Sequence, residues 1–386
     1  MGQTMRVAAI AKALQRRGHE IRFIAAGKLI PIIEKLGIDV VEADDMPEFD
    51  YPSKEERETE DFMVRMQDMM GKIMKIETEI AQKEKPDMIL SGTLSGAQAA
   101  KKLGIPAVMV FLQPHGQKTV NMFSSRMNDQ SKGDSSIAKE RISSMMEAAS
   151  LIILEGMPEI SGGIKFEDLG NGLAAKSNNI SYCGPLLTLY PNQLPAREEL
   201  KALHMGDRNK RMVYITIGGG SQLIGEQFLK IVLDALRMMP EITGVIATGV
   251  AISANVINKY EPPDNAIIRG FVPGTEMIRA SDVTVFHGGS STLMTCIACG
   301  TPAVIVPSIG EQEDNAAVLA QYSAGIVLDK ETLTPGILAE AVQKIIGDTS
   351  YRAGAERLKA LGEKYGGAEA AAAIVENIVS REVVFH

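Results

Sequence analysis

Short apolar runs, many of them β-branched, alternate with helical patterns along almost the whole chain, and that alternation leaves few folds open. The runs in the first half are Glu20–Ala25, Ile38–Glu42, Met88–Ser91, Ala107–Phe111, Leu151–Glu155 and Ile180–Cys183. Those in the second half are Val213–Ile217, Gly244–Ala247, Ala266–Arg269, Val283–Phe286, Ala303–Val306 and Gly325–Leu328. Most are apolar at consecutive positions, as strands of a parallel sheet covered on both faces must be. The pattern occurs twice, and 386 residues are enough for two cores. The expectation is an α/β chain with two doubly wound, Rossmann-like parallel sheets facing a cleft. A first domain is expected over 1–184, a proline-bearing linker over 185–208 and a second domain over 209–364. A closing helix over 365–386 should pack back on the first domain. The start is irregular: Thr4–Arg17 reads as a helix followed by the strand Glu20–Ala25, with no strand ahead of it. Either the first domain lacks its opening strand or residues upstream of Met1 supply it.

Composition narrows the function classes. The net charge of −8 is spread as interspersed acids and bases, not as a basic face, so no nucleic-acid partner is expected. Cys296 and Cys299 form a lone CxxC without a second pair or nearby histidines; with Cys183 they read as buried thiols, and no metal site is expected. No apolar run reaches the ~20 residues of a membrane span. Met1–Gly18 reads as an amphipathic helix and not as a leader. The expected setting is the cytoplasm, with peripheral membrane contact left open. Phe62, Met66, Met69, Ile73, Ile76 and Ile80 form a helical stripe, read as core-facing or as a pliable wall for a lipid-like ligand. The polar stretch Asn121–Asp134 reads as a mobile loop beside the cleft.

Three constellations carry chemistry. After the strand Val283–Phe286 come His287, Gly288, Gly289, Ser290 and Ser291, then a helix. Small residues at a helix start let an anion reach free amides, although an ordinary capped strand–turn–helix reads the same way. Gly218, Gly219 and Gly220 with Ser221 directly follow another strand and could also cradle a phosphate. In the stretch Gly310–Asn315, GEQEDN, the side chains Glu311 and Gln312 suit sugar hydroxyls; a solvated loop is the alternative.

The order of a glycine loop, then GFVP, HGG with Ser/Thr, GTP and GEQEDNA resembles the donor-binding domain of GT-B glycosyltransferases. The likeness is greatest to the UDP-glucuronosyltransferase-like and MurG-like families, over Val213–Leu328. The first domain is similar more loosely, through TMRVAAIAKALQRRGHEIRFIA, Pro86–Leu90 and Tyr182–Pro185. The resemblance implies that His287, Gly288, Gly289, Ser290, Ser291 and Thr292 hold a donor diphosphate, helped by Gly219, Gly220 and Ser221. It implies a base pocket of Phe271, Val272 and Pro273, and donor-sugar contacts from Glu311 and Gln312, with Asn315 bracing their segment. It also implies a metal-independent, inverting transfer with no cofactor beyond the nucleotide sugar, most simply a UDP-sugar. The acceptor would be a small molecule, a lipid or a polysaccharide.

The chain departs from the family at two positions. Thr295 stands where many relatives carry an acidic residue for the ribose hydroxyls. Gln3 stands where relatives carry a histidine base, and glutamine takes up no proton. His115 is the replacement base in the sequence, unless the acceptor arrives already ionised. Beside the transferase, two readings stay open: a catalytically weak GT-B partner subunit, and a nucleotide-sugar 2-epimerase of the same fold.

Overall fold

The computed structural model describes residues 2–43, 45–47, 60–121, 143, 147–166, 180–216, 225–249, 252 and 259–383. The polar stretch 122–134 and the glycine loop holding Gly219, Gly220 and Ser221 lie outside these residues.

The second half forms one continuous six-stranded parallel sheet. Its strands are β7 (Arg211–Thr216), β8 (Ile242–Ala247), β9 (Ala266–Arg269), β10 (Val283–Phe286), β11 (Ala303–Ile305) and β12 (Gly325–Val327). They lie in the order β12-β11-β10-β7-β8-β9, so the first strand sits centrally and the chain winds outward both ways. Alternate residues feed opposite cores. Val213, Ile215, Val283, Val285 and Val304 pack one face. Met212, Tyr214, Phe286, Ala303 and Ile305 pack the other.

The first half is built from strands of the same kind in a different arrangement. The strands β1 (Arg22–Ala25) and β2 (Asp39–Glu42) pair only with each other. The others, β3 (Ile89–Ser91), β4 (Ala107–Leu112), β5 (Leu151–Glu155) and β6 (Ile180–Tyr182), make a separate four-stranded parallel sheet in that order. Helix α1 (Gly2–Arg16) joins the two pieces. Its Val7, Ile10 and Leu14 pack with Val108, Val110 and Ile153 of the four-stranded sheet. Its Ala8 and Ala11 pack with Ile33 and Ile38 beside the pair.

The chain crosses between the domains twice, side by side. The first crossing leaves β6 through Cys183–Pro185; the second returns at Gly367, whose N–H donates to Cys183 O at 2.8 Å. Tyr190 Oη donates to Pro185 O and accepts from Ala368 N–H, at 2.8 and 2.7 Å. The returning helix Gly367–Val383 lies on α1, with Arg16 paired to Glu369 and Arg17 to Glu376. The proline-bearing linker is partly helical over Arg197–Met205. That helix is fixed to the second sheet, since Arg197 and Lys201 each meet Asp282 at 2.8 Å. Asp282 also accepts the Met212 N–H at 2.8 Å, and these cations and hydrogen bonds hold its carboxyl below the usual range against the cost of burial.

Candidate functional site

The site begins where β10, buried at all four residues, runs out into His287. Gly288 has φ +90°, and a Cβ there would come 2.8 Å from Gln312 O, so only glycine lets the turn lie this close to its neighbour. The next helix, Ser290–Cys299, has Gly289 as its N-cap and no side-chain cap. Its first-turn N–H groups have no carbonyl one turn back, and they carry the positive end of the helix dipole. Ser291 is exposed and Thr292 half-buried, so this end is the open part of the turn. Cys296 and Cys299 lie buried on the same helix, and burial pushes the Cys299 thiol up to about 12.

The stretch GEQEDN is not a loop; it forms the first turns of the helix Gly310–Gln321. Glu311 and Glu313 in the first turn complement that helix's dipole, and Ala316, Ala317 and Leu319 continue it. Asn315 is 1% exposed and ties the two helices together. Its Nδ2 donates to Gly288 O at 2.7 Å and to Ser290 Oγ at 3.0 Å. Ser290 Oγ in turn donates to Glu311 Oε1 at 2.6 Å. Gln312 is buried, its Oε1 accepting the Ser308 N–H at 2.8 Å. Thr295 is buried too, its hydroxyl donating to Ser291 O at 2.8 Å. Ser290, Gln312, Thr295 and Asn315 thus brace the turn from within, while Ser291 is exposed and Thr292 and Glu311 are half-buried at its open side. Phe271 is 84% exposed, the most exposed large apolar side chain among the described residues, with half-buried Val272 and then Pro273 at a helix N-cap.

The first domain meets this site directly. A Cβ on Gly2 would lie 2.6 Å from Ser291 Oγ, too close for an unmoved side chain, so the start of α1 faces the start of Ser290–Cys299. Gln3 lies against Gly92, just past β3. Lys118 pairs with Glu313, and Asp314 accepts from the N–H and the hydroxyl of Thr119 at 2.6 and 2.7 Å. The sequence motifs did not single out Asp314 or Thr119, although Asp314 stands inside the stretch GEQEDN.

His115 is placed differently from a catalytic base. It is 4% exposed in the domain junction, with Nδ1 2.7 Å from Asn315 Oδ1. Because Asn315 Nδ2 is committed elsewhere, the histidine Nδ1–H is the donor. Its Nε2 is buried with no partner among the described residues. Burial lowers the pKa of His115, and burial lowers that of His287, so both rings are neutral at pH 7. The structure thus places His115 as a buried strut between the two domains, bonded through Nδ1 to Asn315.

Known proteins share this architecture. Residues 242–375 match the family described as the C-terminal domain of erythromycin biosynthesis protein CIII-like proteins. An uncharacterised glycosyltransferase of Methanosarcina mazei is 26% identical over 99% of this chain and 97% of its own. The NDP-glycosyltransferase YjiC of Bacillus subtilis is 22% identical over 97% of this chain and 94% of its own. Among solved structures, the glycotransferase of kitacinnamycin superposes with a TM-score of 0.69 at 17% identity, covering 97% of this chain and 96% of that one. Glycosyltransferase VinC, solved in complex with dTDP, gives a TM-score of 0.64 at 18% identity, covering 98% and 97%. The chain has the GT-B fold of these glycosyltransferases. In this glycosyltransferase the uncapped helix start beyond β10 is therefore set in the cleft between the two domains, at the carboxyl ends of the strands, where open parallel sheets take their ligands.

Proposed function

We propose that the protein transfers a sugar, with inversion and without a metal, from a pyrimidine nucleoside diphosphate sugar to an acceptor held mainly by the first domain. The observation that carries this is the uncapped start of Ser290–Cys299, braced from behind by Asn315 and faced by the start of α1. Its amides, with Ser291 and Thr292, take the diphosphate, and Glu311 holds sugar hydroxyls. Phe271, Val272 and Pro273 line the base. The glycine loop with Gly219, Gly220 and Ser221 completes the phosphate cradle in this reading.

In the reaction an acceptor oxygen attacks the anomeric carbon, the bond from that carbon to the diphosphate oxygen breaks, and the nucleoside diphosphate leaves. Preorganised amides at the helix start stabilise the charge that develops on the leaving group. Gln3 removes no proton and His115 is enclosed, so the acceptor oxygen is one that ionises readily at neutral pH, such as a phosphate. A cytoplasmic enzyme would find nucleotide sugars at hand.

Support for the pyrimidine comes from relatives: VinC is in complex with dTDP, and a second neighbour, SsfS6, is complexed with thymidine diphosphate. The Thr295 hydroxyl already donates to Ser291 O and offers no carboxylate to a ribose diol. The site therefore discriminates poorly between ribose and deoxyribose. Calorimetric titration with UDP and dTDP should give dissociation constants within about threefold of each other, and Gly289→Trp should abolish both. Thr295→Glu should favour UDP by about tenfold, since a hydrogen bond to a charged group contributes ~1.5–3 kcal/mol. Absence of binding by either nucleotide would overturn the donor site. Binding without turnover on any ionised acceptor would instead support the partner-subunit reading, which Gln3 favours.

A further inference from the structure

Helix α1 carries a buried cation that no step of the proposed reaction uses. Arg6 lies four residues after Gly2, so the two share one face of the helix. Its side chain is 10% exposed and packs inward against Glu155, at the end of β5. Arg6 Nε donates to Glu155 Oε2, and Glu155 Oε1 accepts the Leu186 N–H at 2.9 Å. Among the described residues Arg6 makes no other hydrogen bond, so Nη1 and Nη2 are left over. A guanidinium offers five N–H donors, and enclosing it with the outer fork unanswered costs free energy.

The outer fork lies where the two domains meet. A Cβ on Gly2 would stand 3.9 Å from Arg6 Nη1 and 2.6 Å from Ser291 Oγ, so this one point is flanked by Arg6 from one domain and Ser291 from the other. Neither helix has an acidic residue in its first turn. Two positive dipole ends and a guanidinium therefore converge on the same spot, and an anion is the group that satisfies all three. Arg6 and Glu311 also act in opposite senses on the buried His115 ring, as charges gathered around one junction do.

We propose that Arg6 donates from Nη1 and Nη2 to the diphosphate of the bound nucleotide sugar, so that the first domain holds the leaving group together with the second. This role rests on the donor site at the start of Ser290–Cys299 and adds to it a full charge from across the cleft. A guanidinium fork matches two phosphate oxygens, and hydrogen bonds between charged groups are the stronger kind. Negative charge grows on the diphosphate as the anomeric bond breaks, and a cation already fixed in place by Glu155 stabilises it without reorganisation. The diphosphate also becomes the common counter-charge of the two helix starts, so donor binding draws the domains together. The nearness of Nη1 to Ser291 selects the donor's diphosphate over a phosphate carried by the acceptor.

The test is calorimetric titration of UDP and dTDP into the wild-type protein, Arg6→Lys, and the double variant Arg6→Met with Glu155→Gln. Removing Arg6 alone would leave a buried carboxylate without its cation; removing both charges together keeps the fold, and the glutamine still accepts the Leu186 N–H. The double variant should melt within about 5 °C of wild type yet bind either nucleotide about 30-fold more weakly. Arg6→Lys, which keeps the charge without the fork, should bind about fivefold more weakly than wild type. A double variant that melts and binds like wild type would make Arg6 no more than the partner of Glu155; the inference then fails while the donor site stands. Wild-type protein that binds neither nucleotide overturns the donor site, and the role of Arg6 with it. Inorganic phosphate, titrated into the dTDP-saturated proteins as a probe of an ionised acceptor, should not distinguish wild type from the double variant. Phosphate binding lost in the double variant, with nucleotide binding intact, would assign Arg6 to the acceptor and overturn the proposal.

Discussion

The two domains of this glycosyltransferase are made of similar strands, yet one sheet is whole and the other is in two parts. In the second domain, β7 occupies the centre and its neighbours are paired on both sides. In the first, the two pieces are joined by the packing of α1 on both and of Phe23 beside Leu90. A two-stranded parallel unit has little independent stability, so β1 and β2 depend on α1 to stay in place. The difference teaches that the donor side is a rigid platform, while the side facing it is held by one helix and by contacts across the junction.

The largest test of that contrast is in the second domain. Asp282 gathers Arg197, Lys201 and Arg211 around a carboxylate that is 6% exposed, and it fixes the linker helix to the sheet. Asp282→Ala leaves the buried Lys201 cation without a counter-charge and should cost about 3–5 kcal/mol in denaturant unfolding. A cost near zero would mean that the linker helix is not part of the donor platform.

A smaller test sets the two sheets side by side with the same side chain. Ile215 of β7 is 2% exposed, and Ile215→Ala should cost about 2–5 kcal/mol. Ile24 of β1 is half-buried, so Ile24→Ala should cost only about 1 kcal/mol. Equal costs would break the comparison, because they would require Ile24 to be as fully covered as Ile215.

Much of this was legible in the residues. All the apolar runs became strands within a residue or two, because double-sided burial forces consecutive apolar positions. The irregular start was legible too, as a helix at Thr4 followed by the strand β1, which pairs only with β2. What the sequence hid was partnership. Nothing in the spacing of GEQEDN says that it starts a helix, since Gly, Glu, Gln, Asp and Asn are as much at home in a loop. Nor does a lone His115 announce that its partner lies 200 positions away on Asn315. The linker helix was concealed by the prolines ahead of it and by its charges, of which Glu199 caps its start and Arg197 and Lys201 pair with Asp282.

The smallest expected effect lies at the junction of the two regions and has a definite sign. Burial lowers the pKa of His115; Asn315, Glu311 and Asp314 act to raise it, and Arg6 to lower it. Burial lowers the pKa of His287, with Glu311 opposing. An unfolded histidine titrates near ~6.5. Below that pH the unfolded chain takes up protons that the folded junction refuses, so the unfolded state binds more protons and stability rises with pH. The contribution is complete above about 6.5 and declines as pH falls from there toward the lowered folded values, by at most about 1.4 kcal/mol per pH unit for each histidine. Asp282 does not confuse this window, since its stabilisation is lost only as pH falls below the ordinary carboxylate range. Urea midpoints measured between pH 5.5 and 7.5 should therefore fall on acidification. His115→Gln, which offers Asn315 an amide donor that does not titrate, should flatten the slope to the part that His287 supplies. An unchanged slope would show that His115 is solvated and that the two domains part more readily than the hydrogen bond to Asn315 implies.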